Sequence, residues 1–196
     1  MATLQSNLLE NHTPTGREEA WRFTPLKRLA GLHDGSAKVE ARESLSLNGI
    51  ASPGVSFTRG AITTGSPSED SIVNRVRNYT SEGAILSIEK NTVVESPIFL
   101  NRCCGGVETA EFSRVQIRLA EHAKATVILE NTGDTHLAED LEILLAPGSD
   151  LTFISLQEWG ARSVHAGRHH AIVDRDGTFN SIVVTVGGSV VRLLPT

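Results

Sequence analysis

Two small clusters in this 196-residue chain carry side chains of types that do chemistry. The first is the adjacent pair Cys103-Cys104, followed by Gly105-Gly106. Thiolates bind iron and its sulfide clusters, but a cluster takes about four ligands, and two neighbouring thiols fall short of that. Adjacent cysteines also bridge poorly, because the geometry is strained. The preferred reading is a small-residue turn whose thiols bind nothing. The second cluster is His165, His169 and His170. Imidazoles at such spacing can bind a metal ion. On a strand, His165 and His169 share one face while His170 points the other way. No acidic residue lies among them to serve as ligand or to orient a ring; Glu158 and Asp174 lie outside. The preferred reading is a surface or turn cluster. Cys103, Cys104, His165 and His169 are thus the candidate metal residues, and no catalytic or cofactor-binding residue is assigned.

Two further pairs invite functional readings. Asp174 and Asp176 flank Arg175, and paired carboxylates can do general acid–base work. They precede Gly177, however, where Asp is favoured for its local turn hydrogen bonds. Trp21 and Phe23 could stack on a ligand, but read better as core anchors. The chain has no Gly-Lys-Ser/Thr phosphate loop, no Gly-x-Gly-x-x-Gly and no Gly-x-Ser-x-Gly elbow. It is expected not to be an enzyme on its own.

The elements that must position these residues are mostly strands. Val115–Leu119 leads through a turn into Ala125–Leu129, Leu141–Leu145 into Leu151–Ser155, and His170–Asp174 into Phe179–Val183. The turn centres fall near His122, Gly148 and Gly177, at spacings of 26 and 29 residues. A period of that size marks a stacked, solenoid-like architecture, whose units bury their apolar faces against one another. Upstream the pattern differs. Thr15-Gly-Arg-Glu18 and Ser66-Pro-Ser-Glu69 have the capping-box form of helix starts. Thr24-Pro25 reads as an N-cap followed by Pro at the first helical position. Ile72, Val76 and Tyr79 form an apolar stripe on one helix face. Strands resume with Ala84–Ile88, Thr92–Val94 and Pro97–Leu100. Residues 1–83 are therefore expected to form a small helical and mixed region, and residues 84–196 the first part of the solenoid.

A net charge of −5 gives no pull toward nucleic acid or an anionic membrane. No stretch approaches the roughly 18 apolar residues of a membrane span. Met1–Glu10 lacks the basic patch and apolar run of a secretory signal. The expected location is cytoplasmic, with reduced thiols. Val190–Leu194 reads as a strand in progress near Thr196, and solenoids need a polar capping unit. A truncated solenoid that self-associates as a homodimer, or aggregates at high concentration, is the expectation.

The run Glu19-Ala-Trp-Arg-Phe-Thr-Pro-Leu26 resembles the N-terminal signature of SufD, a subunit of the Suf iron–sulfur cluster assembly system. Pro97–Leu100 looks like that family's entry into its β-helix, and Glu130–Gly133, Ala146–Gly148 and Val186–Gly188 look like its repeat turns. The resemblance implies a right-handed parallel β-helix and a scaffold role in a SufBCD-type complex, with SufB-like and SufC-like partners. It implies iron or an iron–sulfur cluster only in the full complex, at residues beyond Thr196. The alternatives are a β-helix carbohydrate-active enzyme and a small metal-binding module.

Overall fold

The computed structural model describes residues 12–40, 44–49, 52–63 and 65–196. The segment read for a secretory signal, residues 1–10, lies outside them. Two 3-10 turns, Glu19–Trp21 and Leu26–Arg28, precede three short strands: β1 (Val39–Glu40), β2 (Leu45–Asn48) and β3 (Val55–Ala61). A helix, α1 (Ser71–Tyr79), follows, and then seven strands: β4 (Glu82–Ile88), β5 (Ile98–Leu119), β6 (Lys124–Leu145), β7 (Asp150–Trp159), β8 (Val164–Val173), β9 (Thr178–Gly187) and β10 (Val190–Pro195). The fold is mainly β, a parallel stacked solenoid of about four coils.

The pairing builds two walls. In one, the first half of β5 pairs with the first half of β6, then β7, then β9, all parallel. In the other, β4, the second half of β5, the second half of β6, β8 and β10 run parallel in that order. The 22-residue strands β5 and β6 bend from one wall to the other, and β5 shifts register between Gly105 and Ala110. From β5 onward a residue pairs with one 26 to 29 positions later, as in Lys124↔Asp150 and Ile98↔Val127.

The turns repeat with the strands. His122, Gly148 and Asp176 all sit in the left-handed region, with φ of 58°, 68° and 59°. The Gly148 amide donates to the Arg175 carbonyl and the His122 amide to the Pro147 carbonyl, so the corners stack. The third turn centres on Asp176, one residue before the expected Gly177. Asp tolerates this backbone region because its short side chain bonds locally.

Inward residues alternate with outward ones, and parallel in-register pairing stacks like on like. One end of the interior is apolar, with Leu86, Leu100, Ile117, Leu129, Ile143 and Phe153 fully buried. The outer face of the second wall is buried as well, because the N-terminal region covers it. Trp21, Leu29, Leu32, Ile72 and Val76 pack on Ala110, Phe112, Ala138 and Ala166. Burying each large apolar side chain there stabilises the cover by about 1.5–3 kcal/mol.

Buried ion pairs fasten α1 to this wall. Arg77 bridges to Asp140 at 2.6 Å and Glu142 at 3.0 Å, and Arg168 reaches the same two carboxylates at 3.0 and 3.2 Å.

The N-terminal elements differ in detail from expectation. α1 is capped by Asp70, whose side chain accepts from the Ile72 and Val73 amides, rather than by Ser66. Glu142 instead takes the Ser66 amide, at 2.6 Å. The Glu18 carboxylate does reach back to the Thr15 amide, but only a single 3-10 turn follows, Glu19–Trp21. The Thr24-Pro25 start likewise yields one 3-10 turn, Leu26–Arg28, with no side-chain cap. These short pieces are set by packing on the wall rather than by helix propensity. Thr92–Val94 forms no named strand, only a bridge from Val93 to Lys124.

Candidate functional site

The most unusual feature of the interior is a polar seam between apolar ends. On the first wall, the inward row runs from the apolar Leu100 to Arg102, and from Leu129 to Asn131, which Gln157 continues in register. On the second wall, Ser113 pairs with Glu139 and Glu139 with Gly167. Arg102, Ser113, Asn131 and Glu139 are all completely buried.

Arg102 is the hub. Its Nη1 donates to Glu139 Oε1 at 2.7 Å and to Asn131 Oδ1 at 3.0 Å, and its Nη2 donates to Ser113 Oγ at 2.8 Å. Its Nε lies 3.7 Å from Glu111 Oε1. Glu111 in turn accepts from the Ser44 amide at 3.0 Å and from the Ser44 hydroxyl at 2.8 Å. A buried guanidinium is tolerated only when paired and hydrogen-bonded in this way.

Both candidate histidines join this hub. His165 and His169 lie two residues either side of Gly167, the position opposite Glu139. Their Nε2 atoms stand 3.5 Å and 3.2 Å from the same oxygen, Glu139 Oε2. His165 is fully buried, with its ring edge-on to Trp159 at 5.5 Å. His169 packs likewise on Phe153 at 5.7 Å. Burial pulls the His165 pKa down, against the opposing pull of Glu139. Burial disfavours the charge on Glu139, but Arg102 and the two imidazoles hold its carboxyl well below the usual range.

The structure thus corrects the surface-or-turn reading of these histidines, and it supplies the acidic partner the local sequence lacks. Glu139 comes from the coil before. Its signal was available in principle, since subtracting one coil period from the histidines lands on Leu137 and Leu141, and Glu139 is the polar residue between them that shares their strand parity. His170 faces outward, as its parity requires, and its Nδ1 contacts Thr196 Oγ1 at 2.7 Å.

Cys103 and Cys104 lie within β5 rather than in a turn. Cys103 is exposed and Cys104 buried, so the two thiols project to opposite faces. Cys104 packs with Leu137 and Trp159, and its Sγ is 3.6 Å from Ser44 Oγ. Burial, and secondarily the Glu111 charge, push its thiol pKa up. A buried thiol with a raised pKa is a poor nucleophile and a poor metal ligand. Among the described residues no group of three His, Cys, Asp or Glu side chains is placed to hold a metal ion.

The remaining candidates separate. Asp174 and Asp176 sit at an exposed turn, where Asp174 accepts from the Arg175 amide and Asp176 pairs with the Arg175 side chain. Trp21 is buried, with the Arg192 guanidinium 3.7 Å from its ring centre. Phe23 is 91% exposed and is no core anchor, because the 3-10 turn rotates it away from the wall. No helix among the described residues is long and apolar enough to cross a membrane.

Comparison with known proteins places this seam in a family context. Residues 102–196 match the model for the SUF system FeS cluster assembly SufBD core domain. The match begins at Arg102 and takes in Glu111, Asn131, Glu139, His165 and His169. Over 185 residues the chain is 29% identical to an iron–sulfur cluster assembly SufBD family protein of Mycobacterium tuberculosis, covering 92% of this chain and 46% of that one. It is 30% identical over 184 residues to a counterpart in Mycobacterium leprae, at 92% and 47% coverage. The chain spans slightly under half the length of these curated relatives. No solved structure gives a significant match.

Proposed function

We propose that this chain, which is similar to the SufBD family of iron–sulfur cluster assembly proteins, acts as a SufD-like scaffold, not an enzyme, in a SufBCD-type complex. Its partners in this reading are a SufB-like subunit and a SufC-like ATPase, in the cytoplasm. The SufD assignment rests on the run Glu19–Leu26. The observation that carries the scaffold role is the filled interior: two walls enclose packed side chains, and Arg102, Asn131, Glu139 and His169 bond to one another at its centre.

The cluster under assembly is cargo in this reading. Cys103 and Cys104 face opposite sides of β5 and so cannot ligate one iron together. Ligands for the cargo come from elsewhere in the assembly. The sequence carries no phosphate loop, so nucleotide hydrolysis belongs to the SufC-like partner.

The test is co-expression of the protein carrying this chain with the SufB-like and SufC-like subunits of its source. The expected result is a stable three-component complex that builds a cluster under anaerobic reconstitution and loses that activity when this protein is omitted. ATP hydrolysis by this protein alone, or a complex that forms and functions equally without it, overturns the reading.

A further inference from the structure

The interior hub has a charge count with a consequence. The groups facing it can be named element by element. β5 contributes Arg102, Glu111 and the Cys104 thiol, and β6 contributes Glu139 beside the neutral Asn131. β7 contributes the neutral Gln157 and Trp159, and the segment before β2 contributes Ser44. β8 contributes His165 and His169.

Two carboxylates therefore face one guanidinium and two imidazoles. Arg102 offsets one carboxylate. The other can offset one imidazolium. Among the described residues a second imidazolium would have no anion left, at a site where His165 is fully buried. An uncompensated buried charge costs several kcal/mol, more than a single strand contact returns.

The geometry makes the two imidazoles alternatives rather than partners. They flank one oxygen, Glu139 Oε2, from either side of Gly167. A Cβ at residue 167 would stand 2.4 Å from the Glu139 carbonyl oxygen, so this close approach of β8 to β6 depends on glycine. Among the described residues neither ring nitrogen of His165 makes a hydrogen bond, its Nε2 standing 3.5 Å from Glu139 Oε2. Nothing there stabilises a second proton.

We propose that this cluster is a one-proton latch between two coils: it accommodates a single imidazolium on the His165–His169 pair, and entry of a second proton releases β8 from β6. The latch holds at neutral pH and yields on acidification. It acts on the inner side of β8, independently of the Arg168 bridges on the outer side. The latch does not depend on which Suf partners the protein has.

Native-state hydrogen exchange, corrected for the intrinsic pH dependence of the chemistry, tests it on the protein from pH 7.5 to 5. The expected result is selective loss of protection in the β8 peptide, 164–173, approaching tenfold per pH unit below about 6.5, the response to one proton. β4 and the second half of β5 should show no such change. His165→Gln should flatten the response. Glu139→Gln, which removes the anion that both rings face, should shift the opening to higher pH. His122→Gln, at an outer turn, should leave the profile unchanged. Loss of protection spread evenly over all coils overturns the latch, as does a full pH response retained in His165→Gln. Should His165→Gln not fold, an unshifted profile in Glu139→Gln overturns it equally.

Discussion

Gly133 lies directly against Cys104 of the preceding coil: a Cβ on Gly133 would stand 2.0 Å from the Cys104 carbonyl oxygen. The backbone there also has φ of +93°, a region that side chains other than glycine's rarely adopt. Gly133→Ala is therefore expected to lower the melting temperature markedly, by the equivalent of about 2–4 kcal/mol from strain and backbone displacement together. Gly105, in the same strand as Cys104, has nothing within 4 Å of where a Cβ would be, and Gly105→Ala should be nearly silent. Equal shifts in thermal melts of the two variants would reject this corner geometry.

The turn stack makes a second comparison. Gly148 has φ of +68° and a Cβ there would meet His122 Nδ1 at 2.4 Å. Gly148→Val should destabilise far more than Gly105→Val, because a β-branched residue suits neither the backbone nor the space. Chemical denaturation midpoints in the reverse order would show that the corners do not stack as described.

Removing Arg102 leaves Glu139 and Glu111 facing each other without their shared cation. Arg102→Leu is expected to cost about 3–5 kcal/mol, the penalty for breaking a buried ion pair on one side. The double variant Arg102→Leu with Glu139→Leu should recover part of that loss. A double-mutant cycle in urea, with no coupling between the two sites, would contradict the hub.

Global stability should fall with acid. Burial lowers the folded pKa of His165 below its ordinary 6.5, so the unfolded chain takes the proton first as pH drops. The stability tied to neutral His165 is present above about 6.5 and lost below it. Glu139 adds a second stage: Arg102 and the imidazoles hold its folded pKa well below 4.5, so its contribution is present above about 4.5 and lost below it. Both act in the same direction. Urea midpoints that stay level from pH 8 to 4 would rule this out.

The two thiols should react at different rates. Exposed Cys103 is expected to be alkylated in the native protein, while buried Cys104, its thiol pKa raised, should react only on unfolding. Mass spectrometry after a short iodoacetamide pulse counts the labels; two fast labels would contradict the burial of Cys104.

Much of the architecture was legible in the residues. The repeat of apolar runs around His122 and Gly148 announced the coils, and strand parity set His165 and His169 apart from His170. The site was harder to see. Glu139, Arg102 and His165 are close neighbours only because coils 26 to 29 residues apart stack in register. Local windows around each residue contain no hint of the others. Helix caps were misjudged for a related reason: Ser66 had the form of a cap, but Glu142, 76 residues away, claimed its amide. Phe23 was misread because a single 3-10 turn, rather than a continuing helix, decides which way it points.

The in-register stacking has a consequence for how such a chain can change length. Parity decides which side chains face the interior, and each coil repeats the parity of the last. Adding or deleting one residue between Asp134 and Glu139 would turn Glu139 outward and bring Ala138 or Asp140 into the seam. Adding a whole coil would leave every inward row intact. The molecule therefore tolerates growth in steps of a full turn far better than in steps of one residue, and its natural unit of variation is the coil.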